Sequence, residues 1–389
     1  YGVVAMKKIL TIIIAFFIVC NVGVEICFAD EENSDPLDKL IEELDTSDID
    51  EFLHSLTDEQ REIFEATNIK TLIRRIIDGG EAINTQSFVK YILNSFFGNV
   101  TSLAPFIASV LAICVIFGLI NAIKGNFASK STESVVRLAC IGVVMIVTFT
   151  QIVGTVKECK SLIENLKIQM DAVFPVLLTL MAAVGRSAAL PAYQPAVAIL
   201  STYAVDVVTM FALPCFLISV VFHVVGNIGD GIKISGIADF FSGAMKWVLG
   251  TAFFLFLAFL SVKGVTAMVY DSVYVRSAKM ALTKYVPVIG GYLSEGYNLV
   301  LSGSVLIKNG VGVSAMIVLI VSVIPVVGHA VALIVSVKFV SAISEPLGGK
   351  EVCGIYNGLG KSLTALVAIV LGVTFLYFVF LLLVVCTCN

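Results

Sequence analysis

Beyond about residue 100 the chain is written in long apolar runs with short polar interruptions; before that point the apolar positions are sparse and periodic. Eight apolar segments can be drawn, at approximately 101–123, 135–156, 171–190, 195–225, 240–262, 286–307, 311–337 and 362–385. A helix needs about 20 residues to cross roughly 30 Å of hydrocarbon, so runs of this length predict membrane-spanning helices. The first, second, fifth and eighth fit plainly. Pro175, Gly185 and Arg186 interrupt the third, and the fourth, with Pro191, Pro195 and Pro214, must tilt, kink or include a non-spanning piece. The sixth is glycine-rich and polar, and whether 265–305 spans or re-enters stays open at this stage. The expected fold is all-α: a polytopic helical membrane protein of about eight spans, some kinked or re-entrant, over 99–389.

The region before these runs divides in two. Lys7 and Lys8 precede an apolar stretch from Ile9 to about Val24, and Cys27-Phe28-Ala29 precedes Asp30. That order predicts a secretory signal peptide starting at Met6, with an upstream extension, and cut between Ala29 and Asp30. An acidic run follows in place of a basic stop-transfer cluster, which argues against an uncleaved anchor. Residues 30–98 are then an extracytoplasmic, acidic segment of amphipathic helices. Leu37, Leu40, Ile41 and Leu44 recur at helical spacing, as do Ile69, Leu72, Ile73, Ile76 and Ile77. Ser55-Leu56-Thr57-Asp58-Glu59-Gln60 offers a cap before a helix through Ile63 and Phe64. So few apolar residues make a marginal core. The segment must lean on a partner, on the membrane surface or on itself, or else remain a solvated linker.

Composition sharpens this picture. Apolar residues are 58% of the chain and charged residues 14%, whereas soluble domains are nearer half and a quarter. Net charge is −4, and from Asp30 to Asp78 there are sixteen acids against five bases. No basic stripe exists to release counterions, so nucleic acid is not a partner and the lipid bilayer is. With the N-terminus outside, eight spans put eleven basic residues in cytoplasmic loops against six outside, and the stretch 263–285 falls inside. The nine cysteines contain no C-x-x-C pair, and the three histidines are dispersed, so neither a metal nor a cofactor site is expected.

Three ionisable groups fall deep in the apolar runs: Asp206, His223 and His329. An intramembrane carboxylate costs about 2.5–3.5 kcal/mol on insertion scales, so it faces a bundle interior or water. Asp206 therefore reads as a lining group of an aqueous or proton-coupled path, as a carboxylate bonded to a neighbouring helix, or as one near the interface because the segment is kinked. His223 and His329 read as interfacial or packing residues. No Gly-x-Ser-x-Gly elbow, Ser-x-x-Lys pair or phosphate loop is present, and no catalytic residues are expected. The stretch 286–292 has an echo at 324–329, each with a proline followed three residues later by glycine. Paired helix breaks of this kind mark transporter repeats, and echoes this short also arise by chance in Val-, Ile- and Gly-rich helices.

The run from Val275 to Gly296, VRSAKMALTKYVPVIGGYLSEG, continued by Leu301 to Asn309, LSGSVLIKN, resembles the signature of the stage III sporulation protein AE family of endospore formers. The leader, the acidic external segment and the multi-span remainder are arranged as in that family. The resemblance implies a non-enzymatic subunit of a channel or secretion-like complex joining mother cell and forespore. Its expected place is the mother-cell-derived membrane around the forespore, with other stage III proteins and a forespore-side membrane partner, and with room for a homo-oligomer. It carries over Arg276, Lys279, Pro287, Gly290 and Gly291 as family-marking positions only. The alternative from the residues alone is a secondary transporter or permease for a small solute or ion, using Asp206 and the broken helices.

Overall fold

The computed structural model describes residues 34–64, 68–78, 80, 83–127, 130–184, 190–226, 236–259, 290–346 and 350–386. The expected cleavage site at Ala29 and Asp30 lies outside them, as do Arg276, Lys279 and Pro287. Every element within them is helical. Four short helices come first: α1 (Ser34–Glu42), α2 (Ser47–Ser55), α3 (Asp58–Phe64) and α4 (Ile69–Ile77). Seven longer ones follow: α5 (Thr85–Ser102), α6 (Ala104–Phe127), α7 (Lys130–Ala183), α8 (190–225), α9 (Gly236–Phe259), α10 (Gly290–Ser344) and α11 (Lys350–Cys386). The protein is an all-α polytopic membrane protein, with six helical stretches long and apolar enough to cross a bilayer among the described residues.

Six replaces the eight drawn from the sequence because two pairs of segments fuse. The second and third are one helix, α7, of 54 residues, and the sixth and seventh are one helix, α10, of 55. At 1.5 Å per residue each is about 80 Å long, far more than one crossing requires. The polar stretches that read as loops are helical. Lys157, Lys160, Glu164 and Asn165 stand on the exposed side of α7, where charge is hydrated. Lys308, midway along α10, is fully buried and used within the bundle. The fusion also undoes the basic-residue count, since Lys157, Lys160, Lys167 and Lys308 no longer lie in loops. Phe259 and Gly290 both lie toward the end of the bundle that carries α1–α4, and the basic stretch 263–285 between them lies outside the described residues.

The capping of the short helices follows from local chemistry. Thr57 and Gln60 form a reciprocal cap at the start of α3: Gln60 N–H donates to Thr57 Oγ1 at 3.4 Å, and Thr57 N–H to Gln60 Oε1 at 3.0 Å. Asn68 caps α4 by accepting from Thr71 N–H at 2.9 Å. Ser47 donates twice to Asp45, and these bonds hold that carboxyl below the usual carboxylate range. The helices are tied together by Ile69 N–H to Asp50 Oδ1 at 2.8 Å and by Arg74 to Asp38 at 2.5 Å. Their apolar faces are buried, with Ile69, Leu72, Ile73, Ile76 and Ile77 all under 9% exposed. What covers them is neither a separate partner nor solvent. α1, α4 and α5 pack on α10, and α2 packs on α7.

α10 is the central helix, touching α1, α4, α5, α6, α7 and α11. A few polar contacts set the register of the bundle. Gln169 Nε2 donates to Ala315 O at 2.8 Å, so α7 and α10 run antiparallel, and Lys308 to Val385 O at 2.7 Å does the same for α10 and α11. Tyr377 donates to Leu200 O at 3.4 Å, while Ser219 and Ser362 are 3.3 Å apart, aligning α8 antiparallel to α11. Thr148 and Tyr356 hydroxyls meet at 2.6 Å between α7 and α11. Hydrogen bonds between helices take the place of a hydrophobic driving force where the surroundings are apolar.

α8 is a single rod with two widened π-helical stretches, Ile199–Tyr203 and Val207–Ala212, separated by one turn, Ala204–Asp206. Pro195 and Pro214 bracket them. The Pro214 ring would collide with the carbonyl of Met210 one turn back, and the widened stretch that holds Met210 relieves that collision. The expected kink in the fourth segment thus takes the form of π turns.

Candidate functional site

The polar groups that converge are gathered at Pro325 in α10. Proline has no N–H, so the carbonyl of Val321 one turn earlier loses its helical donor. An unpaired carbonyl in an apolar surrounding costs about 1–3 kcal/mol. Here the N-terminal region supplies the missing donors. Tyr91 Oη–H donates to Val321 O at 3.2 Å and Gln60 Nε2–H at 3.4 Å. One turn on, Asn99 Nδ2–H donates to Pro325 O at 3.2 Å. Gln60 comes from α3, and Tyr91 and Asn99 from successive turns of α5. The break is therefore held by two separate elements of the N-terminal region.

Close approach at this point needs a small residue. A Cβ on Gly328 would lie 3.2 Å from Asn99 Nδ2, tighter than ordinary contact. On the opposite side of α10, His329 Nδ1 is hydrogen-bonded to the Glu158 carboxylate of α7. Around the turn at Pro325, then, stand Gln60, Tyr91, Asn99, Glu158 and His329, from four helices. These groups hold helices in place. They present no nucleophile beside a base.

The three intramembrane candidates from the sequence are not brought together. His329 belongs to the junction just described. His223 of α8 is 4% exposed, with Nε2 3.9 Å from Asp239 of α9, and its ring lies against Gly358 of α11. A Cβ on Gly358 would be 2.8 Å from the His223 ring, so only glycine admits the imidazole there. Asp206 is exposed on the outer side of α8, between the two π turns. Of the family-marking positions, Gly290 and Gly291 open α10.

Two further groups escaped the sequence reading. Lys308 lies in the stretch that carries the family resemblance, yet its spacing suggested only an outside loop. Its ammonium caps the C-terminal carbonyls of α11, at 2.7 Å from Val385 O and 3.4 Å from Val384 O. The last carbonyls of a helix are unsatisfied and carry partial negative charge, which a lysine complements. Glu158 was passed over as a loop residue; a carboxylate at the centre of a continuous helix would have been the signal. Among the described residues no group of three or more His, Cys, Asp or Glu side chains could hold a metal ion.

Comparison with known proteins bears on the whole chain. A family model described as stage III sporulation protein AE matches residues 67–388. The chain is also similar to the stage III sporulation protein AE of Bacillus subtilis (strain 168), at 23% identity over 368 residues, covering 92% of this chain and 91% of that protein. No solved structure matches.

Proposed function

Since the chain belongs to the stage III sporulation protein AE family, we propose that it is a non-enzymatic subunit of a transmembrane channel or secretion-like complex that links mother cell and forespore. The observation that carries this reading is the family match over residues 67–388, which takes in the whole helical bundle. The site agrees with it in kind. Polar side chains at Pro325 hold helices together and leave no reactive constellation, as suits a scaffold whose role is assembly. The partners in this reading are other stage III sporulation proteins and a membrane protein on the forespore side. The protein sits in the mother-cell-derived membrane with its N-terminal segment outside the cytoplasm.

The transporter alternative draws less support. Its chief residue, Asp206, stands on the outer surface of α8. Deleting the gene in the host organism tests the main reading. Expected is a block in sporulation after engulfment, with the remaining stage III proteins no longer recovered together from the membrane. Normal spores would overturn it. Asp206→Asn is expected to sporulate as the parent does, whereas solute flux by the purified protein alone in liposomes would favour the transporter.

A further inference from the structure

The outward-facing side chains of α7 change character along one unbroken helix. From Val135 to Val153 the exposed positions include Val135, Leu138, Val143, Ile146 and Val153. From Lys157 onward they are mainly polar, with Lys157, Glu158, Lys160, Ser161, Glu164, Asn165, Asp171 and Thr179, and Ile168 is the one large apolar side chain among them. Both sets stand on the outer side of one continuous helix, so the change points to what lies outside. α8 changes in the same way. Before the switch it exposes Gln194, Thr202, Tyr203 and Asp206, with Ile199 the one large aliphatic side chain among them; after it, Met210, Phe211, Leu217, Ile218, Val221 and Val225.

The two switches lie at the same height in the bundle. Glu158 faces His329, which places the α7 switch beside residues 328–331 of α10. Leu200 meets Tyr377, and Lys308 meets Val385, which together place Met210 beside about residue 326 of α10 at 1.5 Å per residue. The difference is about one turn. The N-terminal segment gives a third marker. Gln60 meets Val321 and Ile73 meets Gly310, so this charged segment lies wholly on the polar side. Large aromatic side chains stand outward near the same height: Phe97 two residues before Asn99, Tyr203 one turn before Asp206, and Trp247, 72% exposed beside Lys246. Aromatic rings of this kind concentrate where lipid headgroups meet hydrocarbon.

We infer that one face of the bilayer's hydrocarbon meets the α6–α7–α8 arc at this height, beside Pro325–His329. Lipid chains contact the half of the bundle that holds Val135–Val153 and Met210–Val225. The other half, with α1–α4, stands in water. The thickness fits. Val135 to Val153 is about 27 Å and α10 from Pro325 to Ser344 about 28 Å, against roughly 30 Å of hydrocarbon. α6 contributes Val115, Ile116 and Leu119 to the same face and shows no charge between Ala104 and Ile116. The assignment is confined to this arc because Asp239 of α9 and Asn357 and Lys361 of α11 face outward in the same half, and α9 keeps Phe254 and Leu255 outward beyond the boundary. One consequence runs against hydropathy. The most apolar parts of α10 and α11, around Val311–Leu319 and Leu376–Val385, are the protein-covered core of the water-side half and cross no lipid.

Two isoleucines on the outside of α7 provide a matched test. Ile146 is 70% exposed and Ile168 is 55% exposed, on the same helix, about 33 Å apart. Each is changed to cysteine in the full chain, reconstituted in vesicles opened to both sides, and treated with a polyethylene-glycol maleimide. Adducts are counted beyond those of the parent protein. A thiol in hydrocarbon cannot ionise, so Ile146→Cys is expected to label about a hundredfold more slowly than Ile168→Cys until detergent is added. Thr202→Cys and Leu217→Cys on α8 repeat the comparison should an α7 variant fail to fold, with Thr202→Cys fast and Leu217→Cys slow. Equal labelling within a pair, or the reverse order, overturns the assignment. Neither result bears on the sporulation role.

Discussion

Lys308 shows what one side chain does in this bundle. Its ammonium is fully buried and donates to the last carbonyls of α11. Lys308→Met keeps most of the packed methylene volume and removes the donor. The carbonyls are then left dry, and a loss of about 1–3 kcal/mol is expected, read as a lower unfolding midpoint of the detergent-solubilised protein. An unchanged midpoint would mean water reaches that helix end. Tyr91 is the second instance. Tyr91→Phe removes one of two donors to Val321 O, with an expected cost of about 0.5–1.5 kcal/mol. Pro325→Ala restores an N–H that competes for the same carbonyl, so Tyr91→Phe should cost less in that background. A double-mutant cycle with no coupling would sink this account of the break. None of these residues was marked by its type alone. Thr57 and Gln60 were legible as a cap because both partners lie within one turn, whereas the partner of Lys308 is 77 residues away.

Helices meet closely only where a residue is small enough. Gly358 of α11 takes the ring of His223 from α8. Gly358→Ala places a methyl inside that ring's contact distance and is expected to destabilise by about 1–3 kcal/mol through overpacking. His223→Ala should recover part of that loss, as compared by the same unfolding measurement; absence of recovery would mean the two residues do not share one contact. The long helices make a different point. α7 and α10 were divided on paper at Lys157–Lys167 and at Lys308-Asn309 because charge in an apolar run reads as a loop. Charge interrupts a membrane crossing, but it does not interrupt a helix whose exposed face is wet or whose lysine is capping another helix end.

The whole molecule joins an acidic, amphipathic N-terminal region to an apolar bundle at the Pro325 turn of α10. α1–α4 bury their isoleucines on α10 and α7, so their fold depends on surfaces supplied from far along the chain, more than 200 residues later in the case of α10. Residues 34–80 expressed alone are expected to show neither a cooperative unfolding transition nor dispersed amide resonances. A well-folded isolated segment would show that the seat on α10 is incidental. The heights of the polar switch on α7 and α8 and of this seat agree, which gives the molecule a lipid-facing half and a wet half divided near Pro325.

Much of this was readable before any coordinates. Helicity, the membrane as solvent, the amphipathic faces at Ile69–Ile77 and the cap at Thr57 all follow from local periodicity and composition, because each depends on residues within a few positions of one another. The fusion of the second with the third segment and of the sixth with the seventh was not readable, nor was the outward position of Asp206. The reason is physical. Hydropathy measures aversion to water, and a side chain leaves water equally well for lipid or for the inside of a helix bundle. Val311–Leu319 and Val135–Val153 are alike in that respect; neighbours from α4, α7 and α11 surround the first, and none cover the outer face of the second.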